Sequence, residues 1–248
     1  MEGYSFNQIA KDYHSKRRKP WKPLEVFLNF VINKGYSFNG IILDLGCANG
    51  RNFKILGSYP KKIIGVDISL KLLKIAHNDI NNLDIYSKSE SQLIQVLQAD
   101  IRYLPFKDNS AQNIFSIATI HHVKNKSDRK KLFNDIFKIT KNDGKIIITI
   151  WRKWQKKYRS FFILSWLKRS LSLKHNQLQK NKGLEEFGDI YVPWTLSKER
   201  KVYYRFYHFF SKREIKNLLN IFTVREFRIM GGPTNKDNFF ILAQKIKN

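Results

Sequence analysis

Two carboxylates end apolar runs on either side of a turn of small residues: Asp44 in "ILDLGCANGRN" (Ile42–Asn52) and Asp67 in "KKIIGVDIS" (Lys61–Ser69). Small residues let a backbone approach a bound nucleoside, and a carboxylate about 20 residues past such a turn can accept both ribose hydroxyls. A dinucleotide turn would need G-x-G-x-x-G, with helix amides facing a pyrophosphate. Here the spacing is Gly46-x-x-x-Gly50, with Ala48 and Asn52 at the second and third glycine positions.

Asp44, two positions before Gly46, suits a cationic ligand, such as the sulfonium and ammonium of S-adenosylmethionine, better than a pyrophosphate. Cys47, Ala48 and Arg51 share that turn, and Ile68 follows Asp67. Further along, "LIQVLQADI" ends a third apolar run with Asp100 and Ile101, where an adenine amino group would lie. "NIFSIATIHHV" (Asn113–Val123) is a fourth run, through Ala118 into paired histidines, His121 and His122, on the side where an acceptor would face the cofactor.

Positioning these groups requires strands that end at one edge of a sheet. Each apolar run reads as a buried parallel strand, and the intervening "RNFKILGSY" opens a helix. Ser127 is placed to cap a helix over "SDRKKLFNDIFKIT", and Asn142-Asp143-Gly144 turns into a fifth strand, "KIIITIW". The fold class is α/β, a doubly wound Rossmann-like sheet, mostly parallel. "FTVREFRIM" and "NFFILAQKI", joined by "GGPTNKD", add an antiparallel C-terminal hairpin. Before the sheet, "YSFNQIAKDYH" and "LEVFLNFVINKG" read as helices, for lying across the cofactor or for covering a sheet edge; Pro23 and Gly35 punctuate the second. One domain, 1–248, then comprises a helical cap (1–40), a cofactor half (41–151), an insertion (152–210) and a C-terminal helix and hairpin (211–248).

Composition narrows the partners. The 46 Lys/Arg against 20 Asp/Glu give a net charge of +26, which calls for a polyanion. Arg152–Lys201 holds thirteen Lys/Arg and four acids, interleaved with Trp151, Trp154, Phe161, Trp166 and Trp194. Basic groups neutralise phosphates and aromatic rings stack on unpaired bases. Within the insertion "SFFILSWLKRSL" has helical period, Lys174–Gly183 is polar and reads as mobile, and "GDIYVPW" and "VYYRFYHFF" are extended. Ser211 and Glu214 form a capping box. The single cysteine, Cys47, allows no intrachain disulfide and no zinc cluster, and reads as a space-filler. No apolar run approaches the ~18 residues of a membrane span and no secretory signal begins the chain, so a cytoplasmic protein is expected.

The order of elements from Ile42 to Trp151 resembles the class I S-adenosylmethionine-dependent methyltransferases. Asp44, Gly46, Gly50, Asp67 and Asp100 match that family's cofactor-contacting positions. "KRRKPWKPL" (Lys16–Leu24), "SIATIHHV" (Ser116–Val123) and "GDIYVPW…YYRFYHFF" further resemble the tRNA wobble-uridine carboxymethyl methyltransferases. That resemblance implies methyl transfer to the carboxylate of 5-carboxymethyluridine in the anticodon stem-loop, and a small zinc-binding activator subunit as partner. It implies site roles for His121, His122, Arg205 and His208. It also implies one for Arg18, of a "TR-KPW" pattern in which Arg17 replaces threonine, so that either arginine can face the pocket. Trp21, Trp194, Tyr204 and Tyr207 are candidates for stacking on bases or for core packing. The rival expectations are methylation of another tRNA nucleoside, a small-molecule methyltransferase, and a non-catalytic RNA-binding subunit of the same fold.

Overall fold

A computed structural model describes residues 2–57, 62–82 and 93–246, with side chains from Ser5 and excluding that of residue 82. Ser58, Tyr59 and Lys61 of the segments quoted above lie outside the described residues. Among the described residues the main sheet has seven strands: β1 (Ile41–Leu45), β2 (Lys62–Asp67), β3 (Leu93–Gln98), β4 (Ala111–Ile117), β5 (Thr140–Trp151), β8 (Thr223–Met230) and β9 (Asn238–Gln244). Their order is β3-β2-β1-β4-β5-β9-β8. Only β9 runs against the others, pairing antiparallel with both β5 and β8. Strands leave β1 in both directions, so a crevice opens at its carboxyl end, where Gly46 begins.

Alternation along the strands divides the core into two layers. Ile42 packs with Leu24, Phe27 and Val31 of α2 (Lys22–Asn33) and with Leu73 and Ala76 of α4 (Leu70–Asn82). Leu43 and Leu45 pack on the other face with Leu132, Phe133 and Ile136 of α5 (Lys126–Ile139) and Ile215 of α8 (Lys212–Leu218). Covered on both faces, β1 needs the continuous apolar run its sequence carries.

Outside this sheet, α1 (Glu2–Lys16) packs on α4 and on β7 (Val202–His208). β7 pairs antiparallel with β6 (Asp189–Thr195) as a separate ribbon. An isolated bridge, Arg152 to Phe210, links the segment after β7 to the end of β5.

Three local expectations change. α5 starts one residue before Ser127, with Asn125 in the cap position and no side-chain cap. Its first turn is instead tied by the Arg129 guanidinium to the carbonyls of Val123 (3.1 Å) and Lys124. Lys174–Gly183 is largely helical: α7 (Leu173–Asn181) follows α6 (Arg159–Leu171), because Ser172 accepts a hydrogen bond from the His175 amide at 3.1 Å and caps it. Ser211 caps α8 by accepting from the Glu214 amide (3.2 Å), but Glu214 Oε1 turns to His208, leaving half of the expected capping box.

Candidate active site

The turn after β1 is shaped by its backbone. Gly46 has φ +81°, and a Cβ there would sit 2.2 Å from Thr119, so only glycine fits. Ala48 follows at φ 52° and Ala118, after β4, at φ 54°, both in the left-handed region. Asp67, at the end of β2, accepts hydrogen bonds from the amides of Ala48 (2.9 Å) and Ser69 (2.8 Å). Burial pushes its pKa up to about 6, against the pull of those amides. Asp44 is also buried, and its Oδ1 has no hydrogen-bond partner among the described residues. Burial and then the Asp67 charge raise its pKa to about 7, against Arg51. The same burial and both carboxylates push the Cys47 thiol well up, leaving it an inert space-filler.

The turn and Asp67 edge a cavity of ≈ 730 Å³. Gly46, Cys47, Ala48, Arg51, Asp67 and Ile68 line one end, with Asp100, Ile101 and Ala118 beside them. Asp44 and Gly50 do not reach its wall: Asp44 lies beneath the turn, and the backbone of Gly50 packs where a Cβ would meet Phe53 at 2.6 Å. Asp100 is clasped by Arg102, whose Nε donates to both carboxylate oxygens (3.1 and 2.9 Å). Burial raises the Asp100 pKa, and the Arg102 bonds outweigh it and hold the group below its ordinary value.

The donor set fits S-adenosyl-L-methionine. A glycine-only approach, a buried acid aimed by two amides and an orphaned carboxylate oxygen under the turn suit a ribose and a cation together.

The other end of the cavity is aromatic and basic. His121, His122, Trp151, Trp194, Arg205 and Tyr207 line it. Tyr207 stacks on Trp151 (4.4 Å between centroids) and on His121 (5.0 Å). His122 donates from Nδ1 to the Phe206 carbonyl at 2.8 Å. Burial, with the Arg205 charge, lowers the His122 pKa to about 3. Burial, then His122, Arg205 and His208, hold His121 well below the ordinary histidine value. Both rings are neutral at pH 7. Arg205 is 8% exposed, lies over the Trp194 ring at 4.6 Å and the Tyr207 ring at 5.2 Å, and its Nε has no partner among the described residues.

Two expected residues lie elsewhere. Arg18 is exposed and off the cavity; Arg17 takes its place in the wall. His208 is buried in a polar cluster, with Nδ1 2.6 Å from Asp189 and Nε2 2.7 Å from Glu214. Arg129, fully buried, donates to both oxygens of Glu186 (2.6 and 2.7 Å) alongside. Burial lowers the His208 pKa, but the two carboxylates outweigh it and raise it. With both nitrogens taken, His208 is a structural ion-pair partner.

Of the aromatic candidates, Trp21 packs on Phe240 and Tyr207 is 3% exposed, whereas Tyr204 is 62% exposed on the rim. Residues absent from the sequence reading also enter: Tyr13 and Phe6 from α1, Gln155 after β5, Thr234 and Asp237 from the β8–β9 turn, and Asn238 at the start of β9. Trp151, named among the insertion's aromatics, is in the wall, and the place of the β8–β9 turn at the sheet edge was a findable signal for that turn.

Comparison with known proteins agrees with this geometry. Residues 43–148 match the Methyltransferase domain family. The tRNA (carboxymethyluridine(34)-5-O)-methyltransferase of Schizosaccharomyces pombe is 25% identical, over 97% of this chain and 94% of that one. The Arabidopsis thaliana protein of the same name is 31% identical over 61% of this chain and 32% of its own length. A SAM-dependent methyltransferase structure from Methanosarcina mazei superposes with a TM-score of 0.67 at 19% identity, covering 88% of this chain and 98% of that one. Residues 43–148 are thus a methyltransferase domain, the chain has the class I methyltransferase fold, and its cradle fits S-adenosyl-L-methionine.

Proposed function

We propose that this methyltransferase acts on tRNA, converting the carboxylate of 5-carboxymethyluridine at the wobble position to its methyl ester. One observation carries the choice of acceptor: a buried guanidinium, Arg205, in the wall of the cavity shared with the cofactor cradle, lying over two rings and with a buried Nε that has no partner among the described residues. A buried donor without an acceptor is costly, and a carboxylate oxygen repays it with a charge-assisted bond.

The residues assigned to the cofactor are those of the cradle. Asp67 takes the ribose hydroxyls through the lone pairs its amide donors leave free, and Ile68 and Ile101 flank the base beside Asp100. The Gly46–Ala48 turn and Asp44 beneath it favour the cationic end. S-adenosyl-L-methionine supplies an electrophilic methyl group on a sulfonium, transferred in line to a nucleophilic oxygen.

Acid–base chemistry in the cavity points the same way. His121 and His122 are held neutral with depressed basicity, so neither suits proton removal at pH 7. An acceptor that arrives ionised, as a carboxylate of pKa near 4 does, needs no base. Arg205 binds one carboxylate oxygen and leaves the other to attack; a clamp on both would withhold the electrons the reaction uses. The chain's remaining work is alignment, worth ~7–11 kcal/mol where reacting atoms are held in register. Trp151, Tyr207 and the histidines exclude water around charges that cancel as the ester forms.

The polyanion is supported by the +26 charge, by the exposed Lys156, Lys157 and Arg159 at the start of the insertion, and by the names of the relatives. The test is nucleoside mass spectrometry of tRNA carrying 5-carboxymethyluridine, incubated with S-adenosyl-L-methionine and this chain, with and without a small zinc-binding activator subunit. The expected gain is one methylene on that nucleoside. No gain under either condition, with cofactor binding verified, overturns the wobble-uridine assignment.

A further inference from the structure

The carboxylate of Asp12 is spent on groups far away in sequence. It accepts from the Trp194 indole Nε1 at 2.7 Å, from the Ser197 amide at 2.8 Å and from its neighbour Lys16 at 2.6 Å. Tyr13 stacks on the same indole, at 5.7 Å between centroids. Arg205 lies over that indole, and Arg205 is the cation assigned to the acceptor. Further contacts tie α1 and the residue that follows it to the cofactor cradle. Asn7 Oδ1 accepts from Ser69 Oγ (2.8 Å) and the Lys71 amide (3.0 Å), and Asn49 Nδ2 donates to the Arg17 carbonyl (3.0 Å). One helix therefore touches both ends of the cavity.

We propose that Asp12 is a positioning residue for the acceptor: by fixing Trp194 it holds Arg205 in the cavity wall, so that seating α1 on the cradle assembles the acceptor subsite. The inference rests on the acceptor assignment made above for Arg205. A charged acceptor of three donors is a stiff anchor, and the indole edge it grips leaves the ring face for the guanidinium. Burial alone would raise the Asp12 pKa; the bonds from Lys16, Ser197 and Trp194 outweigh it and keep the group ionised. Nothing in Asp12 itself touches the cavity, since it is absent from the lining.

The test compares Asp12→Asn, Asp12→Glu and Trp194→Phe in the full chain. Three quantities are measured: S-adenosylhomocysteine affinity, binding of an anticodon stem-loop with and without the wobble carboxymethyl group, and the NMR resonance of the Arg205 Nε–H. Asp12→Asn and Trp194→Phe should each shrink the preference for the carboxymethylated RNA about tenfold, as expected for losing a bond to a charged group. Cofactor affinity should stay within about twofold, the Arg205 resonance should move, and Asp12→Glu should restore the preference.

An unmoved Arg205 resonance with full preference in Asp12→Asn overturns the proposal. Equal loss of cofactor affinity also overturns it, making Asp12 a fastener of α1 as a whole. If the wild type shows no preference for the carboxymethyl group, the acceptor assignment is what fails, and the Arg205 resonance then decides the positioning role alone. Should Asp12→Asn not fold, Trp194→Phe carries the same comparison, because it deletes the indole donor and leaves the carboxylate.

Discussion

The two ends of one cavity are built from different materials. In the cofactor half, the chain path itself forms the cradle: Gly46 at φ +81°, Ala48 and Ala118 in the left-handed region, and amides of Ala48 and Ser69 aiming Asp67. At the acceptor end, side chains stack on a two-stranded ribbon outside the main sheet: Trp151 on Tyr207, Tyr207 on His121, Arg205 over Trp194. A subsite made by backbone has no slack, because its contacts are fixed by φ and ψ. One made by stacked rings can lose a member and keep its shape. The first should fail abruptly under substitution, and the second selectively.

The largest expected effect is at Gly46. Gly46→Ala adds a left-handed penalty of roughly 1–2 kcal/mol and a Cβ into the Thr119 side chain, which raises the total to about 3 kcal/mol or more. Calorimetric affinity for S-adenosylhomocysteine should fall more than about a hundredfold. Thr119→Gly in the same chain should relieve the collision, since even the Thr119 Cβ would stand 2.7 Å from the new methyl group, and leave the backbone penalty. Full recovery would mean that the turn is set by side chains after all, and the contrast between the two ends would lose its basis.

Arg205→Ala comes next. Turnover on carboxymethylated tRNA should fall about 10- to 100-fold, the cost of a charge-assisted bond, with cofactor affinity within about twofold. Arg205→Lys should recover little, because lysine keeps the charge and loses the planar stack on Trp194. A parallel fall in cofactor affinity would show the two ends to be one unit.

The buried acids give the cofactor end a pH signature of its own. Folding raises the Asp44 pKa from 3.8 to about 7, through burial and the Asp67 charge. Between those values the native state binds more protons than the unfolded chain, so stability falls as pH rises through the window. His121 and His122 act oppositely: their lowered values add stability as pH climbs toward 6.5. Comparing urea midpoints of wild type and Asp44→Asn cancels the histidines. The variant should gain on the wild type from about pH 4 to about pH 7 and run parallel above it. A constant offset throughout would mean Asp44 stays ionised in the folded protein.

The same division explains what could be read in advance. The strand–turn–strand of the cradle is local: apolar runs, small turn residues and two acids lie within 26 positions, Ile42 to Asp67. The acceptor end depends on contacts that cross the chain. Arg205 and His208 look alike on one strand, yet Asp189 and Glu214 take both nitrogens of His208, and only the folded ribbon brings them there. Arg17 and Arg18 are adjacent, and the exit of the chain from α1 decides which enters the wall. Asp12 finds Trp194 across 182 positions, a pairing no local pattern encodes. Lys174–Gly183 hid its helix because a polar sequence with a capping serine resembles a loop until a neighbouring helix supports it.

The smallest effect tests whether the +26 charge is concentrated at the acceptor end or spread over the surface. Lys153 takes no part, since it is 7% exposed and its Nζ donates to the Phe187 carbonyl at 2.7 Å. Lys156, Lys157 and Arg159 are exposed where the insertion leaves the sheet, and Lys157 borders the cavity. Each phosphate contact to single-stranded RNA contributes about 0.7 to the slope of log affinity against log salt. Replacing all three by glutamine should therefore flatten the slope for the anticodon stem-loop by about 2, with cofactor affinity and melting temperature unchanged. An unchanged slope would distribute the charge over the whole surface, making it a general attraction for polyanions. The acceptor end would then recognise its substrate through Arg205 and the rings alone, and the ribbon would be a pocket wall with no RNA track leading to it.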